Sequence, residues 1–403
     1  MNQHHALSSP ASRWRIGEAA QAAPTSGIVE VFNYGRNRPG LLPLWVGEGD
    51  RKTPDFIVEA AQKSLRDGET FYTYQRGIPA LREAIAAYMS DLYGQSLGAD
   101  RFFVTIGGMH ALQIAMRIVA GAGDEVIVPT PAWPNFIGAI VANGSISRPV
   151  EMPRTATGFV LDFEALEQAI GPRTRAICLN SPANPTGWTA TRADQERLLD
   201  IARRHDLWII ADEIYARFFY QGFRAPSFHD IMAEDDRILF VQTLSKNWAM
   251  TGWRVGWIEA PPALGQVIEN LIQYSSSGVA VPLQRGAAAA IAQGGSLIAE
   301  QVELARANRT LLLDTLRRNN ALVIPEPTGA FYLFFGIEGL LNSTQAAFRL
   351  IDDANLGLAP GASFGPGGEG FMRLCYLRRE DDIAEAARRL VNNLERIRSG
   401  VSA

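Results

Sequence analysis

The chain has 403 residues, of which 47% are hydrophobic and 20% charged, and its formal net charge at pH 7 is −4. This composition is typical of a globular protein and excludes a disordered or membrane-spanning class. The negative charge and the lack of a lysine/arginine block argue against nucleic acid as a partner. No apolar stretch is long enough to cross a bilayer, and residues 1–15 lack the apolar core of a secretory signal, so we expect a soluble, cytoplasmic protein.

Cysteine and histidine usage gives no sign of a disulfide framework or a metal site. Cys178 and Cys375 lie in apolar, strand-like runs, which favours buried thiols in a reducing compartment. The five histidines show no metal-ligand spacing with each other or with the cysteines. We therefore predict that no metal is bound.

In chain order, a polar, periodless segment comes first and an alternating α/β region follows. Residues 1–26 are rich in alanine and serine, which predicts an arm. From about residue 100 to 260, short Val/Ile-rich runs alternate with helix-period segments such as 109–119 and 193–205. The predicted strands are 102–105, 125–129, 176–180, 208–211, 238–242 and 255–259. This order predicts a doubly wound α/β core with a mostly parallel sheet.

After about residue 295 the pattern changes. A long charged, amphipathic stretch (298–319) is followed by short strands around 329–335 and 371–376 and by a final helix, 380–398. These elements predict a smaller α+β domain.

Chemically useful residues follow each strand of the predicted sheet, where ligands collect in open α/β folds. Taken singly, each has an ordinary explanation, such as a tight turn at a glycine pair, a helix cap or metal ligand at Asp212, or a solvated lysine. Taken together they offer a lysine for an imine, a carboxylate for a pyridinium nitrogen, an amide and a phenol for a ring hydroxyl, an aromatic ring for stacking, and a phosphate cradle. That set describes a pyridoxal phosphate site. Its members are Lys246, Asp212, Asn184, Tyr215, Trp133, Gly107, Gly108, Thr243, Ser245 and Arg254.

Further motifs carry a resemblance to a known family. They are Leu44-Trp45-Val46-Gly47-Glu48-Gly49-Asp50 with Thr53-Pro54, the run from Tyr72 to Arg82, Pro360-Gly361-Ala362-Ser363-Phe364-Gly365, and Phe371-Met372-Arg373-Leu374. With these, the chain resembles the fold-type I pyridoxal-phosphate enzymes and, within them, the class I and II aminotransferases.

The resemblance implies a seven-stranded-type sheet in a large cofactor domain at 61–295, a small domain formed by 31–60 and 296–403, and an N-terminal arm at 1–30. It also implies a homodimer with its active sites at the interface.

The resemblance implies a role for each matching residue. Lys246 becomes the internal-aldimine lysine, with Asp212 and Tyr215 as further catalytic residues. Arg373 and Gly47, with Asn184 and Trp133, become the binding site for the substrate. The cofactor-binding residues are Gly107, Gly108, Met109, Trp133, Asn184, Asp212, Tyr215, Thr243, Ser245, Lys246, Arg254 and Tyr72.

Two features of these assignments stay open. Tyr72 has the spacing of a tyrosine that reaches the cofactor phosphate of the neighbouring subunit, and Tyr74 competes for that role. Met109 stands where relatives often have a lysine or a hydroxyl residue, which would leave only its backbone amide for a phosphate.

The expected activity is transfer of an amino group from an L-amino acid to a 2-oxo acid by a ping-pong mechanism. The alternatives are a β- or γ-lyase on the same scaffold and a non-catalytic regulatory module, which the short, unpatterned N-terminal segment disfavours. The sequence leaves the substrate unassigned. Phe32, Tyr34 and Trp253 are candidates for an apolar pocket, but core packing is the more common role of such aromatic residues.

Overall fold

The secondary structure is seen in a computed structural model that describes residues 14–155 and 158–399. The helices are α1 (Glu18–Ala22), α2 (Gly27–Gly35), α3 (Asp55–Arg66), α4 (Pro79–Tyr93), α5 (Gly107–Val119), α6 (Asn135–Ala142), α7 (Phe163–Gln168), α8 (Arg192–Arg204), α9 (Leu244–Asn247), α10 (Gly265–Gln273), α11 (Val281–Gln293), α12 (Gly295–Leu316), α13 (Ser343–Ala354) and α14 (Glu380–Ser399). The strands are β1 (Leu42–Pro43), β2 (Phe102–Thr105), β3 (Glu125–Thr130), β4 (Ile146–Glu151), β5 (Thr174–Asn180), β6 (Trp208–Asp212), β7 (Ile238–Thr243), β8 (Gly256–Glu259), β9 (Leu322–Val323), β10 (Tyr332–Ile337), β11 (Leu356–Gly357), β12 (Ala359–Pro360) and β13 (Phe371–Cys375). Short 3-10 helices occur at Ala99–Arg101, Phe228–Asp230, Thr251–Trp253, Pro262–Leu264 and Gly361–Phe364.

The larger sheet has seven strands in the order β2-β8-β7-β6-β5-β3-β4. Strands β4, β3, β5, β6 and β7 pair in parallel, and β8 runs antiparallel to both of its neighbours. The predicted fold class, α/β with a large mostly parallel sheet and a smaller α+β part, is confirmed.

Both faces of this sheet are buried, as its continuous apolar strands require. In β3, Val126 and Val128 belong to the apolar cluster on the side of α5 and α6, whereas Ile127, between them, belongs to the cluster on the other side. The same alternation holds in β6, where Ile210 and Ile209 face opposite clusters. Side chains that alternate across a strand therefore hold helices on both faces of the sheet.

All six predicted strands of the core are present, within one or two residues of the predicted bounds. The sequence analysis missed β4, which lies at the edge of the sheet. Its sequence, ISRPVE, contains a proline, and most of its side chains are exposed. An edge strand needs neither a continuous apolar run nor a full set of N–H donors, so its sequence carried no strand signal.

The C-terminal part contains a four-stranded antiparallel sheet, β12-β13-β10-β9, as well as the long helices α12 and α14. The strand predicted at 329–335 begins later, at Tyr332, because Ala330 has a φ of +55°, outside the range of a strand. A separate parallel pair joins β1 to β11, with Leu42 opposite Leu356.

The predicted domain boundaries remain predictions. Residues 1–13 of the predicted N-terminal arm lie outside the described residues, and α2 runs across the predicted boundary between residues 30 and 31. Within residues 14–155 and 158–399, none of the helices has the length and apolar character needed to cross a membrane.

We predict that Gly256→Ala destabilises the fold and disturbs the start of α5. A Cβ at this position in β8 would lie 2.6 Å from the Gln242 carbonyl oxygen, 2.8 Å from the Gly107 carbonyl carbon and 3.0 Å from the Gly108 nitrogen. These atoms belong to the backbone, so the cost of overpacking should be about 1–3 kcal/mol in the free energy of unfolding. Denaturant titration measures this change. Gly295→Ala, where a Cβ would meet nothing within 4 Å, is the control; equal stability of the two variants would contradict the prediction.

Candidate active site

A cavity of about 540 Å³ lies at the carboxyl edge of the larger sheet. It is bounded by residues that follow β3, β5, β6 and β7, by the start of α5, and by the segment after β1. Arg373 on β13 closes it from the smaller sheet. The predicted site residues that line it are Gly47, Gly108, Met109, Trp133, Asn184, Asp212, Tyr215, Thr243, Ser245, Lys246, Arg254 and Arg373.

Lys246 lies in the short helix α9, directly after the buried strand β7. The Thr243 side chain caps this helix by accepting a hydrogen bond of 3.1 Å from the Ser245 N–H. The lysine Nζ donates to the Gly47 carbonyl oxygen at 2.6 Å. Its surroundings disfavour an ammonium ion, so burial lowers the pKa of Lys246 to about 8. At pH 7 roughly a tenth of the amine is therefore neutral, far more than for an exposed lysine.

Asp212 ends β6 and is 2% exposed. Its Oδ1 accepts a hydrogen bond of 3.3 Å from the Ile214 N–H, and no lysine, arginine or histidine forms an ion pair with it within residues 14–155 and 158–399. Burial raises the pKa of this carboxyl to about 7, and the nearby Lys246 opposes the shift. A cationic ligand beside Asp212 would offset the burial of its carboxylate.

The Tyr215 hydroxyl shares a hydrogen bond with Tyr332, a residue that the sequence analysis did not identify. This hydroxyl lies 2.7 Å from the hydroxyl of Tyr332 on β10, and the two rings meet edge to face. Burial raises the pKa of Tyr215 well above its usual value, so the phenol is neutral. Tyr332 was missed because one tyrosine in an apolar strand has the same pattern as a core aromatic residue.

Arg373 is 2% exposed and makes no ion pair within the described part of the chain. Its Nη1 donates to the Asn184 Oδ1 at 3.0 Å, its Nη2 donates to the Trp45 carbonyl oxygen, and its Nε has no hydrogen-bond partner among the described residues. The guanidinium lies over the rings of Tyr332 and Phe364, 4.8 and 5.1 Å from their centroids. A buried guanidinium without a counter-ion is a receptor for a carboxylate.

One end of the cavity has the features of a phosphate site. The first turn of α5, at Gly107 to Met109, presents N–H groups at the positive end of the helix. The Thr243 and Ser245 hydroxyls are 2.9 Å apart. Arg254 is exposed, donates to the Thr251 carbonyl oxygen at 2.8 Å, and has no acidic partner among the described residues.

Gly107 does not line the cavity itself but lies against Arg254. A Cβ on Gly107, whose φ is +70°, would be 2.6 Å from the Arg254 Nη2. The positive φ favours glycine at this position, and a side chain here would also displace the Arg254 guanidinium.

The structure does not bring Tyr72 into the cavity of its own chain. Tyr72 is 97% exposed and lies in a shallow groove with residues 276–280, while Tyr74 is 65% exposed. A contact of either tyrosine with the cofactor of a neighbouring subunit stays a prediction.

Of the three aromatic candidates for an apolar pocket, one lines the cavity. Phe32 does so, together with Ile28 and Val29 of the same helix, which the sequence analysis did not identify. Tyr34 donates instead to Asp352, and the Trp253 Nε1 donates to Thr53. Neither of these two is among the lining residues. Apolar residues at helical spacing in α2 have the same pattern as core residues, so the sequence gave no sign that Ile28 and Val29 line a cavity.

Comparison with known proteins identifies the family. The family model "Aminotransferase class I and II" matches residues 40–390. An aspartate aminotransferase of Pyrococcus horikoshii is 31% identical over 387 residues, which cover 95% of this chain and 98% of the relative. An arginine–pyruvate transaminase of Pseudomonas aeruginosa is 36% identical over 352 residues, 87% of this chain and 89% of the relative.

A solved structure agrees with the sequence relatives. The aspartate aminotransferase of Thermus thermophilus with maleate superposes with a TM-score of 0.86 at 31% identity, covering 94% of this chain and 99% of that chain. The match extends over nearly the whole length and includes both sheets. The chain is therefore an aminotransferase, and it belongs to the class I and II family of the fold-type I pyridoxal-phosphate enzymes.

Proposed function

We propose that this aminotransferase uses pyridoxal phosphate to move an amino group from an L-amino acid to a 2-oxo acid in a ping-pong cycle. The observation that carries the proposal is that Lys246, Asp212 and Arg373 line one cavity, and none of them makes an ion pair within the described residues. Each charge is therefore available to a ligand. A cofactor with an aldehyde and a protonated ring nitrogen, together with a substrate α-carboxylate, would complement all three.

The donor set fits pyridoxal phosphate. Lys246 would hold its aldehyde carbon and Asp212 its ring nitrogen. Asn184 and Tyr215 would hold the ring hydroxyl, and Trp133 would stack on the ring. The phosphate would lie among Gly107, Gly108, Met109, Thr243, Ser245 and Arg254. When bound, the cofactor supplies an aldehyde for the substrate amine and a ring that takes up the electron pair of the broken Cα–H bond.

Lys246 would move the proton at the substrate Cα. Only a neutral amine accepts a proton, and the lowered pKa of about 8 leaves part of Lys246 in that form. The Gly47 carbonyl oxygen, 2.6 Å from Nζ, holds the amine inside the cavity. This contact orients the base before the reaction begins.

Arg373 would bind the substrate α-carboxylate. Its bonds to Asn184 and Trp45 fix the plane of the guanidinium, and its Nε has a free N–H. A planar fork meets a carboxylate with two parallel hydrogen bonds, which fixes the orientation of the Cα–H bond. The names of the relatives include both aspartate and arginine as substrates and do not select one for this chain.

The proposed small domain would combine both ends of the chain, residues 31–60 and 296–403, around a large domain at 61–295. The pairing of β1 with β11 supports this division, because it joins the N-terminal segment to the C-terminal part. We also propose a homodimer. Phe71 and Tyr72, 86% and 97% exposed, lie together at the groove formed with residues 276–280, and aromatic side chains at such exposure are typical of a protein interface.

Lys246→Ala tests the proposed function. In the wild-type protein with pyridoxal phosphate, the right amino acid should shift the cofactor absorbance to that of pyridoxamine phosphate, and a 2-oxo acid should restore it. The variant lacks the proton-transfer group, so the rate of this shift should fall by about 10²–10⁴-fold or more. Absorbance scans with a panel of amino acids measure both results.

The matched control is Lys63→Ala, which removes an exposed lysine on α3 and should leave the rate unchanged. Release of pyruvate or ammonia in one step, without pyridoxamine phosphate, would instead identify a lyase. Failure of every amino acid to convert the cofactor would contradict the proposal.

Asp212→Asn tests the buried carboxyl. In the cofactor-free protein, the folded pKa of about 7 lies above the unfolded value of about 3.9, so the folded state binds the extra proton between these two values. The stability that Asp212 contributes is thus present at low pH and is lost as pH rises toward 7. From about pH 5 to pH 7 the wild type should lose about 2–3 kcal/mol relative to the variant. Urea unfolding at several pH values measures the difference, and Asp314→Asn, at an exposed position on α12, is the control. A difference that does not vary with pH would refute the assignment.

Phe71→Glu tests the proposed homodimer. A carboxylate on this exposed aromatic position would have to be desolvated in an interface, so the variant should dissociate at concentrations where the wild type is a dimer. Sedimentation velocity measures the change. Phe223→Glu alters another aromatic side chain, 71% exposed, outside this groove and should leave the assembly unchanged. A monomeric wild type, or a dimer that both variants preserve, would argue against this interface.

A further inference from the structure

One side of the cavity is not used by the cofactor and carboxylate contacts proposed above. It is formed by Ile28, Val29 and Phe32 of α2, and it continues onto Met109 and Trp133, which also belong to the proposed cofactor site. The spacing of the three α2 residues places them on one side of the helix. Val29 is an aliphatic residue that is 53% exposed although it lines a cavity. We call these five residues the apolar wall.

The apolar wall lies next to the proposed carboxylate clamp. Phe32 packs edge to face on Trp45, with ring centroids 5.8 Å apart, and the Trp45 carbonyl oxygen accepts a hydrogen bond from Arg373. The same residue thus contacts both the wall and the clamp. When the α-carboxylate of a free amino acid is held at Arg373, its side chain can extend toward the wall.

Every cation that lines the cavity among the described residues of this chain already has a proposed ligand. The charged lining residues are Glu48, Asp212, Lys246, Arg254 and Arg373. After the amine, the phosphate, the α-carboxylate and the ring nitrogen are assigned, Glu48 remains among these five described residues. The Glu48 carboxylate accepts a hydrogen bond of 2.9 Å from the Thr251 hydroxyl. The Thr251 backbone carbonyl accepts a hydrogen bond from Arg254, so Glu48 lies toward the phosphate end of the cavity. A second substrate carboxylate placed against the wall would find no counter-ion among the described residues of this chain, which is unfavourable where the carboxylate loses water.

We infer that the substrate amino acid has a single carboxylate and a large apolar side chain, aromatic or branched aliphatic, that packs on the wall. This inference rests on the proposed function, since it uses the position of the α-carboxylate at Arg373. Dicarboxylic amino acids are poor substrates in this account. Apolar side chains gain by leaving water for the surfaces of Ile28, Val29 and Phe32.

The test uses unreactive acids, so that binding is read without catalysis. Calorimetry with the pyridoxal-phosphate-loaded protein compares 3-phenylpropanoate with butanedioate, which differ in the group that would meet the wall. The first should bind at least about tenfold more tightly, as an apolar pocket discriminates. Turnover with phenylalanine and leucine should exceed that with aspartate and with arginine by a similar factor.

Val29→Arg should reverse the order of the two acids. It adds a cation to the wall, so butanedioate should bind about tenfold more tightly than to the wild type, and 3-phenylpropanoate more weakly. Val29→Gln is the control: it removes the branched side chain and adds no charge. Val267→Arg introduces the same cation at an aliphatic position of similar exposure, 47%, on α10 and should change neither affinity.

The outcomes separate this inference from the proposed function. If amino acids convert the cofactor but butanedioate binds as tightly as 3-phenylpropanoate, or aspartate or arginine is the preferred donor, the inference fails and the proposed function stands. If neither acid binds measurably, the relative turnover of phenylalanine, leucine, aspartate and arginine tests the inference by the same criterion. If no amino acid converts the cofactor, the proposed function fails. Equal affinities for the two acids would, independently of that result, contradict the proposed role of the apolar wall in binding.

Discussion

The burial of one carboxyl group, Asp212, constrains the arrangement of the rest of the site. A carboxylate that is 2% exposed and forms no ion pair with any residue the structure describes is costly, and the raised pKa of about 7 reflects that cost. Its position is held by the centre of the sheet, where β6 is flanked by β5 and β7. The next residue adds an anchor, because the Glu213 carboxylate accepts hydrogen bonds from the Ser227 hydroxyl at 2.7 Å and from the Phe228 N–H at 3.3 Å. The backbone at Asp212 therefore has little freedom to move the carboxyl toward water.

The second constraint joins the two sheets. Arg373 lies on β13 of the smaller sheet, and its hydrogen bonds end on Asn184, after β5, and on Trp45, after β1. A displacement of one sheet relative to the other would break these bonds and change the direction of the guanidinium. Lys246 has a comparable link, since its Nζ bonds to Gly47 in the segment after β1. The relative positions of Asp212, Lys246 and Arg373 are thus set by elements that come from distant parts of the sequence.

The sequence predicted the centre of this arrangement well and its borders poorly. Buried parallel strands have continuous apolar runs, and the residues that follow them must meet at one edge, so Asp212, Asn184 and Lys246 could be placed in a common site before any coordinates. Position alone could not identify Tyr332, whose contact with Tyr215 joins residues 117 positions apart. Strand β4 and the start of β10 were misjudged for local reasons, a polar edge and the backbone angle of Ala330.

The part of the site that was hardest to predict is also the part that is least tied to the core. Helix α2 has Val31 and Gly35 buried among its nine residues, Ile28 and Phe32 are partly buried against the core where they line the cavity, and Val29 is half exposed. A substitution at Val29 removes few packing contacts, because half of the side chain is exposed, whereas a change at Asp212 or Lys246 alters a charge that the whole sheet accommodates. The two halves of the site therefore differ in what constrains them. The cofactor half is fixed by the strands that build the fold, and the half that would meet the substrate side chain can vary with little effect on stability. This division gives a physical reason why one scaffold can serve substrates of different charge. The preferred substrate then depends on the cavity surface of each chain.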